Sequence, residues 1–297
     1  MFNKTTIQGA YFALTAYIFW GVLPIYFKSL DHVSPLEILI QRVLWSVVLL
    51  LIILFVTKQL DKLIIPRKKL GMLFLCAVLL STNWLIFIFA ILNNNIVETS
   101  LGYFINPLFS VFLGMIFLGE RLRPLQWLAV FIAMAGILLQ LVYFGAFPWI
   151  ALSLAITFGV YGLIRKKLGI HSIAGLTLET LMISPFAILG LIWIYFQGEM
   201  KFLQIDLQTD LLLVSAGFIT SIPLLCFAAA ITRLSLTASG MFQYIAPSLS
   251  LVIAVTLYSE PFGIDRIITF TCIWIALFIF TAETVYHHRR KKQRGLA

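Results

Sequence analysis

The chain is a succession of apolar runs, each about twenty residues long, separated by short polar joints. They lie near residues 7–28, 36–57, 70–92, 96–118, 124–143, 147–165, 174–197, 208–230, 236–258 and 264–286. A hydrocarbon core of ~30 Å takes about 20 helical residues to cross. In lipid the backbone must satisfy its own N–H and C=O groups, which leaves helices or closed barrels, and a barrel strand is about half as long as these runs. The runs therefore predict an all-α integral membrane protein of ten transmembrane helices. With 61% hydrophobic and 11% charged residues, against roughly 45–50% apolar in a soluble domain, no stretch is left over for a soluble domain. Pro35, Pro124 and Pro148 stand where helices begin and need no N–H. The first run carries only Lys4 ahead of it and exceeds a signal-peptide core in length, so it is expected to stay as a span.

Charge then orients the bundle. Lys4, the Lys58 to Lys69 loop, Arg121 and Arg123, Arg165 to Lys167, Arg233 and the tail from Arg289 to Arg294 all fall on one side; Lys28, Lys201 and Arg266 fall on the other and Arg42 lies within a span. Positive charge collects on the cytoplasmic side of membranes, so both termini are expected there. The net charge of +9 is thereby explained without a nucleic-acid partner. The tail His287 to Arg294 reads as a topology anchor that also meets anionic lipid.

The chain also repeats itself. VETSLGYFINPLFSVFLGMIFLGERLR, from Val97 to Arg123, aligns without a gap on TASGMFQYIAPSLSLVIAVTLYSEPFG, from Thr237 to Gly263, at an offset of 140 residues. Pro107 meets Pro247, Ser110 meets Ser250 and Glu120 meets Glu260. Five spans per unit is an odd number, so the second unit enters the membrane the other way up. The expected organisation is two inverted five-helix repeats, residues 1–143 and 144–286, followed by a basic cytoplasmic tail, 287–297. Internal inverted symmetry is common among carriers, whose substrate site lies between the repeats.

Polar residues within the spans supply the candidates. Thr99, Tyr103, Asn106 and Ser110 form one helical stripe, repeated as Ser239, Gln243, Ala246 and Ser250. Such a stripe turns away from lipid, either to line a cavity or to make interhelical hydrogen bonds. Tyr17, Trp20, Asn83, Trp84, Tyr103, Asn106, Tyr161, Gln243 and Tyr244 form the expected substrate-binding set, aromatic rings with polar tips suiting a mostly apolar pocket. Pro107 and Pro247 are expected hinges, because a mid-membrane proline frees a carbonyl and kinks its helix. Among ionisable groups, Glu37, Glu98 and Glu283 lie close enough to span edges to snorkel. Arg42 and Glu179 lie deeper, on repeat-related spans, and predict a mutual ion pair; with Glu98 they are also the candidates for proton coupling. Cys76, Cys226 and Cys272 sit singly in apolar runs, which predicts no disulfide, metal or cofactor. The catalytic set is empty: no Walker A, H-E-x-x-H or G-x-S-x-G pattern is present, and the chain is not expected to be an enzyme.

Taken together, the ten spans, the two halves and the endings NPLFSVFLGMIFLGERL and APSLSLVIAVTLYSEPF resemble the EamA-type drug/metabolite transporter superfamily. GAYFALTAYIFWGVLPIYFKSLDHVSPLEILIQRVLWS, NWLIFIFAILNNNIVETSLGYFINPL, FGVYGLIRKK with the nearby LET, and IPLLCFAAAITRL carry the resemblance to a bacterial branch across nearly the whole chain. It implies a bacterial inner-membrane carrier with a cavity formed by spans 1, 3, 4, 6, 8 and 9. The expected function is secondary transport of small organic metabolites, amino acids or amphiphilic drugs by alternating access, as an exporter or exchanger. A monomer is expected, with a dimer as the alternative. The competing readings are a membrane sensor or structural protein, which leaves the repeated stripe unexplained, and a membrane enzyme, for which no motif is found.

Overall fold

Capping residues at the ends of the apolar runs set where the helices start. Ser34, Asp206 and Ser235 each accept a hydrogen bond from the backbone N–H three residues on, at 3.2, 2.6 and 3.0 Å, satisfying donors that a first turn leaves free. Gly119, Gly169 and Gly198 turn the chain at joints with φ of 65°, 58° and 69°. The computed structural model describes residues 4–92, 96–144, 147–257 and 263–293.

Among the described residues all regular structure is helical: α1 (Lys4–Lys28), α2 (Pro35–Val56), a 3-10 turn (Leu60–Leu63), α3 (Arg67–Leu92), α4 (Ile96–Leu118), α5 (Pro124–Phe144), α6 (Trp149–Leu168), α7 (Ser172–Phe196), α8 (Leu207–Ile231), α9 (Leu236–Gln243), α10 (Ile245–Leu257) and α11 (Ile264–Gln293). Eight of these, α1 to α3, α5 to α8 and α11, are long and apolar enough to cross a membrane, and α4 adds the shorter apolar stretch Gly102–Leu118. Large apolar side chains such as Val142, Phe196 and Phe278 are 81, 81 and 75% exposed, a surface suited to lipid rather than water.

The ninth expected span is divided in two. Pro247 has no N–H to offer the Gln243 carbonyl, so α9 stops at Gln243 and α10 begins at Ile245. Pro107, at the equivalent repeat position, stays inside an unbroken α4.

α4 packs on α6 and α9, α1 on α8 and α10, α3 on α6 and α7, α2 on α7 and α8, and α5 on α11. Small residues set the closest approaches, as in membrane bundles generally. A methyl group on Gly217 of α8 would stand 2.5 Å from the Trp45 carbonyl carbon of α2, and one on Gly240 of α9 would stand 2.9 Å from the Pro107 oxygen of α4.

Polar clamps close the two ends. At the end bearing the α2–α3 joint, called here the basic end, the Glu120 carboxylate accepts from the Leu236 and Thr237 N–H groups at 2.6 and 2.8 Å. There too Lys166 donates to the Ile231 oxygen at 2.8 Å and to the Leu234 oxygen. Arg123 grips Glu283 with two nitrogens, at 2.5 and 2.7 Å. At the far end Glu37 accepts from the Lys201 and Phe202 N–H groups at 2.9 and 2.8 Å. Glu37 and Glu283 therefore do not snorkel to water as expected: they are 0 and 8% exposed and held by protein donors.

Candidate substrate site

Halfway along the bundle, α1, α4 and α9 bring together a group of buried polar side chains. Tyr17, Ser110, Ser239, Gln243 and Asn106 are all at least nine-tenths buried. The Gln243 amide donates to the Ser110 hydroxyl at 3.3 Å, and the Tyr17 phenol faces Ser239 and Gln243. Yet the Tyr17 and Ser239 hydroxyls and the Gln243 and Asn106 carbonyl oxygens have no hydrogen-bond partner of good geometry. Each buried polar atom left this way costs on the order of 1–3 kcal/mol. Four such atoms belong to buried side chains of α1, α4 and α9, and groups of this kind are normally satisfied by protein, water or a bound molecule.

A block of aromatic rings borders this nest. Trp20 of α1 lies 5.4 Å from Tyr17, 5.6 Å from Phe158 of α6 and 5.8 Å from Phe227 of α8, and Phe158 and Phe227 are 5.1 Å apart. Tyr161 stacks on Phe227 at 6.1 Å. On its other side Tyr161 donates to Glu179 at 3.3 Å, and Glu179 pairs with Arg165 at 3.3 Å. Arg165 and Glu179 are 2 and 1% exposed, so this ion pair is sealed within the basic third of α6 and α7.

Toward the far end the packing opens. Arg42 of α2 lies with its guanidinium carbon 3.6 Å from the centre of the Trp84 ring of α3. The Tyr103 phenol of α4 is within electrostatic reach of it. Tyr103 packs on Phe87 at 5.8 Å and is 41% exposed, although it shares a helix face with buried Asn106. One side of this stripe thus borders accessible space.

The EamA-like transporter family matches residues 7–142. A RarD protein of Salmonella typhi is 47% identical over 291 residues, 97% of this chain and 99% of its own length. The chain belongs to the EamA-like transporter family. An uncharacterized transporter of Vibrio cholerae serotype O1 is 48% identical over 280 residues, covering 93% of this chain and 92% of its own. A solved structure titled only as a crystal structure of a protein aligns with a TM-score of 0.73 at 18% identity, over 93% of this chain and 98% of that one, a likeness of fold alone. The chain is thus a multi-pass membrane protein of a family whose members carry transporter names.

Within this EamA-family bundle the expected site residues divide into groups. Tyr17, Asn106 and Gln243 meet in the nest; Trp20 and Tyr161 belong to the aromatic block; Trp84 and Tyr103 flank Arg42. Asn83 is turned away to α6, its amide nitrogen donating to the Leu154 oxygen and the Thr157 hydroxyl, both at 2.9 Å. Tyr244, 0% exposed, points into the apolar cluster of Phe104, Ile137, Phe270 and Ile273 between α4, α5 and α11. The Glu98 side chain lies outside the described residues.

The expected Arg42–Glu179 pair is not formed. Glu37 beside Lys201, and Ile40 against Gly190, set α2 antiparallel to α7. Arg42 then stands level with the second half of α7, roughly 13 Å along the axis from Glu179 at 1.5 Å per residue. The partner of Glu179 is Arg165, expected from its neighbours to belong to a cytoplasmic basic cluster. Its signal was available: Arg165 follows Tyr161 by four residues and shares its helix face. Ser239 stood in the repeated stripe but outside the expected binding set, and Phe158 and Phe227 in neither.

Proposed function

We propose that this protein is a secondary carrier of small organic metabolites, amino acids or amphiphilic drugs, an exporter or exchanger working as a monomer by alternating access in the bacterial inner membrane. The observation that carries the reading is the nest on α1, α4 and α9, where buried Tyr17, Asn106, Ser239 and Gln243 each leave a polar atom without a hydrogen-bond partner. A sensor or structural protein gains nothing from burying them; a carrier needs a site there.

The helix packing supports two inverted repeats, residues 1–143 and 144–286. Exchanging α1 with α6, α2 with α7, α3 with α8, α4 with the α9–α10 pair and α5 with α11 turns each major contact into another: α4 on α6 becomes α9 and α10 on α1, and α1 on α8 becomes α6 on α3. In this reading the ninth span is α9 plus α10, the bundle has ten spans, and the basic end with both termini is cytoplasmic. The break at Pro247 and the kink-prone Pro107 serve as hinges between access states. Glu179, held by Arg165 and Tyr161, is the candidate for proton coupling.

The test is uptake and efflux of a mixed metabolite pool in proteoliposomes, read by mass spectrometry with and without a pH gradient. The wild-type protein is expected to move a defined subset, and Asn106→Leu to abolish that movement while staying folded and inserted. A folded, correctly oriented wild type that moves nothing removes the carrier reading. Unimpaired transport by Asn106→Leu removes the nest from it.

A further inference from the structure

Among the described residues Arg42 is the one Lys or Arg within the membrane-spanning interior on the far side of the nest, and the described groups around it do not neutralise it. It is 7% exposed, its Nε has no hydrogen-bond partner, and among the described residues no carboxylate pairs with it. What it has is aromatic: the Trp84 face at 3.6 Å and the Tyr103 and Tyr26 phenols within electrostatic range. The Tyr26 hydroxyl is itself committed to the Leu212 oxygen at 2.7 Å.

A guanidinium in this setting is expensive, since a buried charge is normally paired, and a cation–π contact offsets only a part, up to about 2 kcal/mol. Protein packing alone would be better served by leucine. The planar fork of arginine presents five donors and cannot be discharged by losing a proton. With its guanidinium carbon over the Trp84 ring and Tyr103 beside it, that fork is preorganised for a planar oxyanion.

We propose that Arg42, backed by Trp84 and Tyr103, is the receptor for the carboxylate of a monoanionic organic substrate. The inference rests on the carrier reading above and narrows its substrate class. One fixed positive charge balances one negative charge; a phosphate dianion would call for a second cation, and none accompanies Arg42 among the described residues. The aromatic walls at Trp84, Tyr103 and Phe87 suit an apolar or aromatic body behind the carboxylate. The carboxylate thus sits on Arg42 roughly a turn from Asn106, and the polar nest takes whatever hydrogen-bonding groups the rest of the molecule carries.

The test separates binding from transport. Ligand-observed NMR titrations are run on the full chain in phosphatidylcholine nanodiscs, using benzoate, 3-phenylpropionate and octanoate, each against its neutral amide. At least one acid is expected to bind about tenfold or more tightly than its amide, the scale of a charge-assisted hydrogen bond. Arg42→Gln is expected to erase that preference, and Arg42→Lys, which keeps the charge, to retain a part of it and to serve if the glutamine variant does not fold. Acids and amides binding alike to the wild type, or a preference that survives Arg42→Gln, overturns the proposal. So does acid binding that vanishes in phosphatidylglycerol nanodiscs and returns with added salt no more than the neutral amide's does, because the occupant is then the anionic lipid headgroup. Acid binding that depends on Arg42 in a protein that moves nothing in proteoliposomes sustains the receptor and sinks the carrier reading instead.

Discussion

Removing one member of the Arg165–Glu179 pair isolates a charge that the bundle cannot hydrate. Both groups are at least 98% buried, with Arg165 NH1 3.3 Å from Glu179 Oε1. In Glu179→Gln the guanidinium loses its one charged partner and keeps neutral ones, the Tyr161 phenol and the Ser172 oxygen at 3.4 Å. Breaking one side of a buried pair costs about 3–5 kcal/mol, and the arginine cannot relieve it by losing its proton. Arg165→Met is expected to cost less, since the carboxyl left behind can be neutralised by taking one up. Equilibrium unfolding in mixed dodecylsulfate–maltoside micelles, followed by tryptophan fluorescence, gives the values. The double-mutant cycle of Arg165 with Glu179 should show a coupling above about 1.5 kcal/mol, and that of Arg42 with Glu179 one below about 0.5 kcal/mol, as for sites that share no partner. A Glu179→Gln protein within about 1 kcal/mol of wild type, or a strong Arg42–Glu179 coupling, would refute the assignment of partners.

Three further outcomes are expected. Glu120→Gln removes the carboxylate that receives the first N–H groups of α9 at 2.6 and 2.8 Å; it should cost about 1–2 kcal/mol and speed hydrogen exchange at Leu236 and Thr237 ahead of the rest of the chain. Asn83→Leu gives up two 2.9 Å bonds to α6 and should lower stability by about 1–3 kcal/mol, while the folded fraction keeps its transport rate; a transport defect in well-folded protein would return Asn83 to the substrate site. His171, in the joint between α6 and α7, is held below the usual imidazole value of 6.5 by partial burial and then by Lys62 and Arg233. Folding is therefore favoured with His171 neutral, a contribution present above that value and lost as pH falls below it; NMR titration should place its midpoint below 6.5, and Lys62→Gln should raise it.

The sequence carried the span positions well, because lipid demands long apolar runs and the ends are marked by Pro35, Pro124, Ser34 and Asp206. Segment edges near 36, 70, 96, 124, 208 and 236 fall within about three residues of the observed helix starts. Facing was harder. Gln243 and Tyr244 are neighbours in sequence, yet the roughly 100° between successive helical residues sends Gln243 to the nest and Tyr244 to the α5–α11 side. Asn83 was legible as a buried polar group but not as a donor to α6, because its direction depends on the Leu154 carbonyl across the interface. The Arg42–Glu179 expectation failed on depth: equivalent positions on antiparallel partners face each other only near the middle, and both residues sit seven positions from their helix starts. Arg165 was hidden by its neighbours, Lys166 and Lys167, which made it look like one more loop cation.

The interruption at Tyr244 bears on how the chain enters the bilayer in the first place. α9 is eight residues long and α10 thirteen, about 12 and 20 Å of helix, so neither reaches across a ~30 Å core by itself. α9 also carries Thr237, Ser239, Gly240 and Gln243, a poor passenger for hydrocarbon. By the time this segment leaves the ribosome, α4 has already been made. It offers Ser110 to Gln243, the Pro107 edge to Gly240 and, just beyond its end, Glu120 to the free N–H groups of Leu236 and Thr237. The polar groups of α9 thus find their partners on a helix made earlier in the chain, so the order of synthesis favours the packing seen between α4 and α9.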